Sequence, residues 1–97
     1  MPTRRYFYVY LLCNANRTVL YTGVSSDLRL RVAQHRAAIG GWFTRRYQVA
    51  RLVWFEIHEN PISAIQREKQ IKAGSRRRKV ELIERRNPTW RDLYEEL

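Results

Sequence analysis

An arginine and a histidine fall where apolar side chains belong. In the segment opening at Leu28, the residues Leu28, Val32 and Ile39 mark one helical stripe, and Arg31 and His35 lie on that same stripe. Burying an unpaired guanidinium is costly, so the placement makes chemical sense if this face looks into a cleft where Arg31 meets a phosphate bidentately. The plainer alternative pairs Arg31 with a carboxylate at the core edge and leaves His35 a hydrogen-bonded boundary histidine.

A later segment repeats the anomaly. Ala64, Ile65, Ile71 and Lys72 surround Glu68 at helical spacing, so a carboxylate shares the apolar stripe, while Arg67 and Lys69 flank it on more exposed faces. A single inward carboxylate beside a basic cleft suits Mg²⁺, which takes few protein oxygens and completes its shell with water and phosphate. The alternative is a structural ion pair, Glu68 with Arg31. Six tyrosines add phenols, Tyr10 and Tyr21 among them. In strands such residues usually pack, but beside an arginine and a metal they can orient or deprotonate a water.

Arg76-Arg77-Arg78-Lys79 opens a further helical segment, where the macrodipole disfavours cations. A phosphate at that N-terminus would make both the backbone N–H groups and the arginines useful; a solvated basic face is the alternative. Over the whole chain, 19 Lys+Arg against 9 Asp+Glu leave a formal charge of +10, which points to a polyanionic partner through counterion release. Arg29, Arg45, Arg46 and Lys72, with Arg76, Arg77, Arg78 and Lys79, are the candidate contacts to nucleic acid.

These side chains need elements to hold them. At 97 residues the chain supports one core, so residues 1–97 are expected to form a single domain. No apolar run is long enough to span a bilayer, and the N-terminus does not resemble an export signal, so a cytoplasmic, nucleoid-associated protein is expected. The lone Cys13 has no disulfide or zinc partner and reads as a small core residue.

Tyr6 to Cys13 and Thr18 to Val24 are strand-like runs joined by the turn residues Asn14-Ala15-Asn16-Arg17, a β-hairpin with Tyr6, Tyr8, Tyr10 and Leu12 on one face and Phe7, Val9, Leu11 and Cys13 on the other. Gly23 closes the second run. Ser25 or Ser26 with Asp27 caps a helix reaching about Ile39, which Gly40-Gly41 stops. After a loop with Trp42, Phe43 and Thr44, Ala50 to Ile57 has strand composition. Asn60-Pro61 starts a helix running to about Ala73, Gly74-Ser75 interrupts it, and another runs from Arg76 to Arg86 before Asn87-Pro88. Thr89 to Leu97 is expected to dock as a short helix. The order β-β-α-β-α-α predicts an α+β domain with a small antiparallel sheet and helices packed on it.

Tyr8-Val9-Tyr10, then Tyr21-Thr22-Gly23, then Arg31, His35 and Glu68, resemble the GIY-YIG nuclease family over nearly the whole chain. The stretches Tyr21 to Leu28, Arg67 to Lys72 and Asn87 to Leu93 look like its small stand-alone bacterial members. The resemblance implies a three-stranded antiparallel sheet flanked by helices and a divalent metal, Mg²⁺ or Mn²⁺, held by Glu68. It implies that Tyr10, Tyr21, Arg31, His35 and Glu68 are catalytic and that Gly23 and Asn87 support them. Tyr8 stands where the first motif has glycine and Thr22 where the second has isoleucine, departures that bear on backbone packing rather than chemistry.

The activity so implied is metal-dependent hydrolysis of DNA phosphodiesters, structure-selective on branched or single-stranded DNA and linked to repair or recombination. The competing expectation is a non-catalytic module that keeps the fold and uses its basic surface to hold branched DNA or structured RNA.

Overall fold

The computed structural model describes residues 5–37 and 46–97. Strand β1 (Phe7–Cys13) lies in the middle of an antiparallel sheet, flanked by β2 (Leu20–Ser25) on one side and β3 (Arg51–His58) on the other. Helix α1 (Leu28–Arg36) follows the hairpin, α2 (Pro61–Ala73) and α3 (Arg76–Arg86) follow β3, and a 3₁₀ turn (Leu93–Glu96) ends the chain. The expected β-β-α-β-α-α order and three-stranded sheet are observed.

The alternation in β1 sorts the core into two layers. Val9, Leu11 and Cys13 pack with Val53, Trp54, Ala64, Ile71, Ile83 and Trp90 on the side covered by α2 and α3. Tyr10 and Leu12 pack with Leu28, Val32, Val49 and Leu52 on the side of α1, joined by Leu93, Tyr94 and Leu97 of the C-terminal segment. A strand in the middle of a sheet buried on both faces must be apolar at consecutive positions, and Val9 through Cys13 are all buried. Cys13 is a core residue, as expected.

Local chemistry sets the helix ends. Asn60 accepts from the amides of Ile62 and Ser63 ahead of Pro61, and Ser75 accepts from the amide of Arg78. The expected bounds of α2 and α3 are those observed. Asp27 rather than a serine caps α1, accepting from the amide of Leu30 at 3.1 Å, while the Ser25 hydroxyl takes the amide of Asp27.

Three expectations need correction. Strand β2 begins at Leu20 because the amides of Thr18 and Val19 bond to the Asn14 side chain, which draws them into the turn. Helix α1 ends at Arg36, capped by Ala37, where Arg36 reaches across to Asp92 and lies over the ring of Tyr94; Ile39, Gly40-Gly41, Trp42, Phe43, Thr44 and Arg45 lie outside the described residues. Finally, Ile65 and Lys72 stand on the solvent side of α2, and the buried stripe narrows to Ala64 and Ile71. The C-terminal segment docks as a short helix, as expected: a 3₁₀ turn over Leu93–Glu96, with Leu93, Tyr94 and Leu97 packed on the α1 side of the core.

Candidate active site

The antiparallel register sets Tyr10 opposite Gly23 and Leu12 opposite Tyr21. Tyr10 and Tyr21 are therefore diagonal neighbours on one face of adjacent strands, within reach for long side chains. Their ring centroids lie 6.3 Å apart. The absence of a side chain at Gly23 makes this possible: a Cβ there would stand 2.5 Å from both Cζ and Oη of Tyr10. The phenol thus lies across the edge strand β2, over the one residue type that leaves room for it.

Helix α1 brings the other two groups. Its stripe of Leu28, Val32 and His35 is buried, and His35 is only 2% exposed. Its Nε2 lies 3.3 Å from Oη of Tyr10, and its ring stands 4.9 Å from that of Tyr21. Arg31, one turn earlier, faces both phenols and donates Nη1 to Oε1 of Gln34 at 3.0 Å. Both anomalies of the α1 stripe thus converge on the two tyrosines. Gln34 was not singled out from sequence, although its position three residues after Arg31 is a pairing distance on a helix.

Glu68 approaches from the opposite layer. Helix α2 packs on β1 and β2, and the negative charge of Glu68 acts on the Tyr10 hydroxyl. Its carboxylate is 14% exposed, and its ion-pair partner is Lys72 at 3.6 Å rather than Arg31. Lys72 is 68% exposed, so this pair is weak and free to open. Tyr10, Tyr21, Arg31 and His35 therefore gather in mutual contact, and the charge of Glu68 reaches Tyr10 from α2.

Burial, then the neighbouring Tyr21, pushes the Tyr10 phenol up to about 12, against the opposing hydrogen bond from Arg31. Burial, reinforced by the charge of Arg31, pushes His35 down to about 4. For Arg31, burial opposes the charge, but hydrogen bonds to the two phenols outweigh it and raise its pKa. At pH 7 the site is thus a neutral phenol, a neutral imidazole and a fixed cation.

The donor set limits what metal could sit here. Among the described residues no three His, Cys, Asp or Glu side chains come together to form a metal-binding group. A closed zinc-type site needs several such ligands, whereas one half-buried carboxylate fits a hard cation that keeps its waters. Glu68 is such a carboxylate.

The supporting residues have separate duties. Asn87 is buried; its Nδ2 donates to the carbonyls of Val53 at 3.0 Å and Arg91 at 2.8 Å, and its Oδ1 accepts from the amide of Arg91. It ties α3 and the C-terminal loop to β3. Of the candidate nucleic-acid contacts, Arg29 and Arg46 are exposed, and Arg46 lies over the ring of Tyr47. Arg76 donates to the carbonyls of Arg17 and Thr18. Lys79 donates to those of Lys72 and Gly74. Stability therefore supplies a reason for two of the four cations at the start of α3: they satisfy carbonyls of the hairpin turn and of the end of α2. Arg77 pairs with Glu81, and Arg78 joins a cleft between α2 and α3.

Comparison with known proteins bears on the family and the fold. The model of the GIY-YIG catalytic domain matches residues 6–81. A UPF0213 protein of Haloquadratum walsbyi is 37% identical over 79 residues, covering 81% of this chain and 88% of the relative. One from Staphylococcus haemolyticus is 36% identical over 80 residues, covering 81% of this chain and 95% of that protein. The solution NMR structure of the UPF0213 protein BH0048 from Bacillus halodurans superposes with a TM-score of 0.57 at 28% identity, covering 90% of this chain and 92% of that one.

Proposed function

The chain belongs to the GIY-YIG catalytic-domain family, and from that premise we propose that it is a metal-dependent endonuclease that hydrolyses phosphodiester bonds in DNA. The observation that carries this reading is the contact of the Tyr10 hydroxyl with His35, beside Arg31 and within the field of Glu68. A domain that only held nucleic acid would gain nothing from a half-buried carboxylate that repels phosphate.

Glu68 is the residue that would hold Mg²⁺ or Mn²⁺, which when bound supplies positive charge to the scissile phosphate and the leaving oxygen. Arg31 neutralises the phosphate from the side of α1, with Gln34 fixing its guanidinium. Tyr10 is protonated at neutral pH and cannot take a proton from water without losing its own. His35, neutral and with Nε2 facing the hydroxyl, is the acceptor. The attacking water gives its proton to Oη of Tyr10 as Oη passes its own to Nε2, so the phenol relays and the imidazole ends as the cation, balanced by the phosphate. Tyr21 orients the water or the Tyr10 ring.

The single domain spans residues 1–97 in this reading and acts in the cytoplasm at the nucleoid. Selectivity in this reading comes from DNA shape, branched or single-stranded, and such selectivity fits repair or recombination. Among the described residues no helix is long and apolar enough to cross a membrane.

The test incubates the protein with labelled single-stranded, duplex, flap and branched DNA in Mg²⁺, Mn²⁺ or chelator, beside Glu68→Gln. Metal-dependent cleavage that drops at least ~100-fold in the variant is expected. Salt-sensitive binding without cleavage, unaffected by metal, would instead make the domain a nucleic-acid-binding module.

A further inference from the structure

A cluster of cationic side chains lies outside the candidate active site. Between α2 and α3 is a cleft of about 280 Å³ lined by Arg67, Gln70, Arg78, Lys79, Glu81 and Arg85, together with Ile71 and Leu82. Four cations face a single carboxylate. Arg67 is held by Glu56 through Nε at 3.2 Å and by Gln70 through Nη1 at 2.7 Å. Glu56 in turn bonds His58 at 2.7 Å, so the Arg67 wall is braced against β3. Lys79 is anchored on the carbonyls at the end of α2. Glu81, the acidic residue of the cleft, is engaged by Arg77.

Arg78 and Arg85 differ from these. They stand two turns apart on one face of α3, both exposed, and among the described residues neither side chain has a hydrogen bond or ion pair. In a chain of net charge +10, two uncompensated guanidiniums on the same rim as two further cations cost self-repulsion and return nothing to the fold. An anion with oxygens spread along a line removes that cost, and two guanidiniums two helical turns apart match a run of phosphates better than one isolated anion.

We propose that the cleft between α2 and α3 binds the sugar-phosphate backbone of duplex DNA, with Arg78 and Arg85 as the contacting residues and Arg67 and Lys79 as the fixed positive wall. The inference rests on the nuclease reading for its choice of DNA as the anion. Helix α2 carries Glu68 on the side toward the tyrosines and Arg67 on the side toward α3, so one helix links the cutting site to this second contact. A duplex held here is gripped away from the scissile phosphate, which gives a small domain a second point for judging DNA shape.

The test measures binding of a labelled 30-base-pair DNA duplex in chelator as a function of salt, for the wild type, for Arg78→Gln/Arg85→Gln and for Arg5→Gln/Arg91→Gln, which removes the same charge elsewhere. Loss of two phosphate contacts is expected to reduce the slope of log K against log salt by about 2 for the cleft variant. The control pair is expected to change it by less than half as much. Equal changes in the two variants, no binding by the wild type, or an effect seen on duplex RNA but not on DNA would overturn the proposal. Cleavage in Mg²⁺ is assayed on the same preparations. An unchanged slope in a protein that cuts refutes the cleft and leaves the nuclease; a reduced slope in a protein that does not cut refutes the nuclease and leaves the cleft.

Discussion

Oη of Tyr10 on β1 meets Nε2 of His35 on α1 at 3.3 Å, and both residues are almost fully buried. The phenol is held up to about 12 and the imidazole down to about 4, each chiefly by burial, so both are neutral across the physiological range. In the His35 tautomer that carries its proton on Nδ1, the hydroxyl donates and Nε2 accepts.

This pair has a consequence for stability against pH. His35 binds a proton near pH 6.5 in the unfolded chain but only near 4 in the folded one. The unfolded state therefore takes up the proton first as pH falls, and the contribution of His35 is complete above about 6.5 and lost progressively toward about 4. The full effect is on the order of 3 kcal/mol. Urea unfolding of the wild type and His35→Gln at several pH values between 7.5 and 4 is expected to show a flatter profile for the variant; parallel profiles would mean that His35 titrates normally in the folded protein.

Tyr10→Phe keeps the ring over Gly23 and removes only the oxygen that the proposed mechanism uses as a relay. Cleavage is expected to fall by roughly 10²- to 10⁴-fold, the usual worth of a positioned acid or base, with DNA affinity unchanged within a factor of about two. Single-turnover cleavage alongside binding in chelator measures both. If Tyr10→Phe cuts normally while Tyr21→Phe does not, the proton passes through Tyr21.

At Gly23 a methyl group is enough to disturb the site. Its Cβ would fall 2.5 Å from Cζ and Oη of Tyr10, so in Gly23→Ala the phenol must swing off His35. A stability loss of about 1–3 kcal/mol is expected from overpacking, together with a ~100-fold loss of cleavage at temperatures where the variant remains folded. Circular dichroism melting paired with cleavage assays separates the two effects; an active Gly23→Ala would show that the Tyr10 to His35 contact is dispensable.

Asn87 serves the frame rather than the chemistry. Truncation to alanine leaves the buried carbonyl of Val53 without its donor and frees the C-terminal loop, at a cost on the order of 2–3 kcal/mol. Differential scanning calorimetry of Asn87→Ala is expected to show a lower Tm, while the residual folded protein retains its cleavage rate. A variant with wild-type Tm and lost cleavage would instead give Asn87 a direct part in catalysis.

What could be read along the chain was whatever neighbours in sequence decide. Asn60-Pro61, Gly74-Ser75 and Asn87 bound α2 and α3 because capping is a bond between residues two to four apart. The period of two in β1 sorted its residues between two layers. Arg31, His35 and Glu68 were visible as polar residues on apolar stripes. Ile65 and Lys72 were misjudged because periodicity gives the direction of a helix face but not its width. That width depends on how closely the small Ala64 lets α2 approach the sheet.

The amino-acid sequence by itself thus determined the elements, their order, the α+β class and the identity of the side chains out of place, since each follows from short-range backbone and patterning preferences. Only the tertiary structure decided that β1 is central and β2 an edge, that Tyr10 lies over Gly23 to reach His35, and that Arg76 and Lys79 serve backbone carbonyls. It alone brought Arg67, Arg78 and Arg85 to one cleft. Strand pairing and helix docking join residues tens of positions apart, and the free energy that selects among them belongs to the packed whole rather than to any segment.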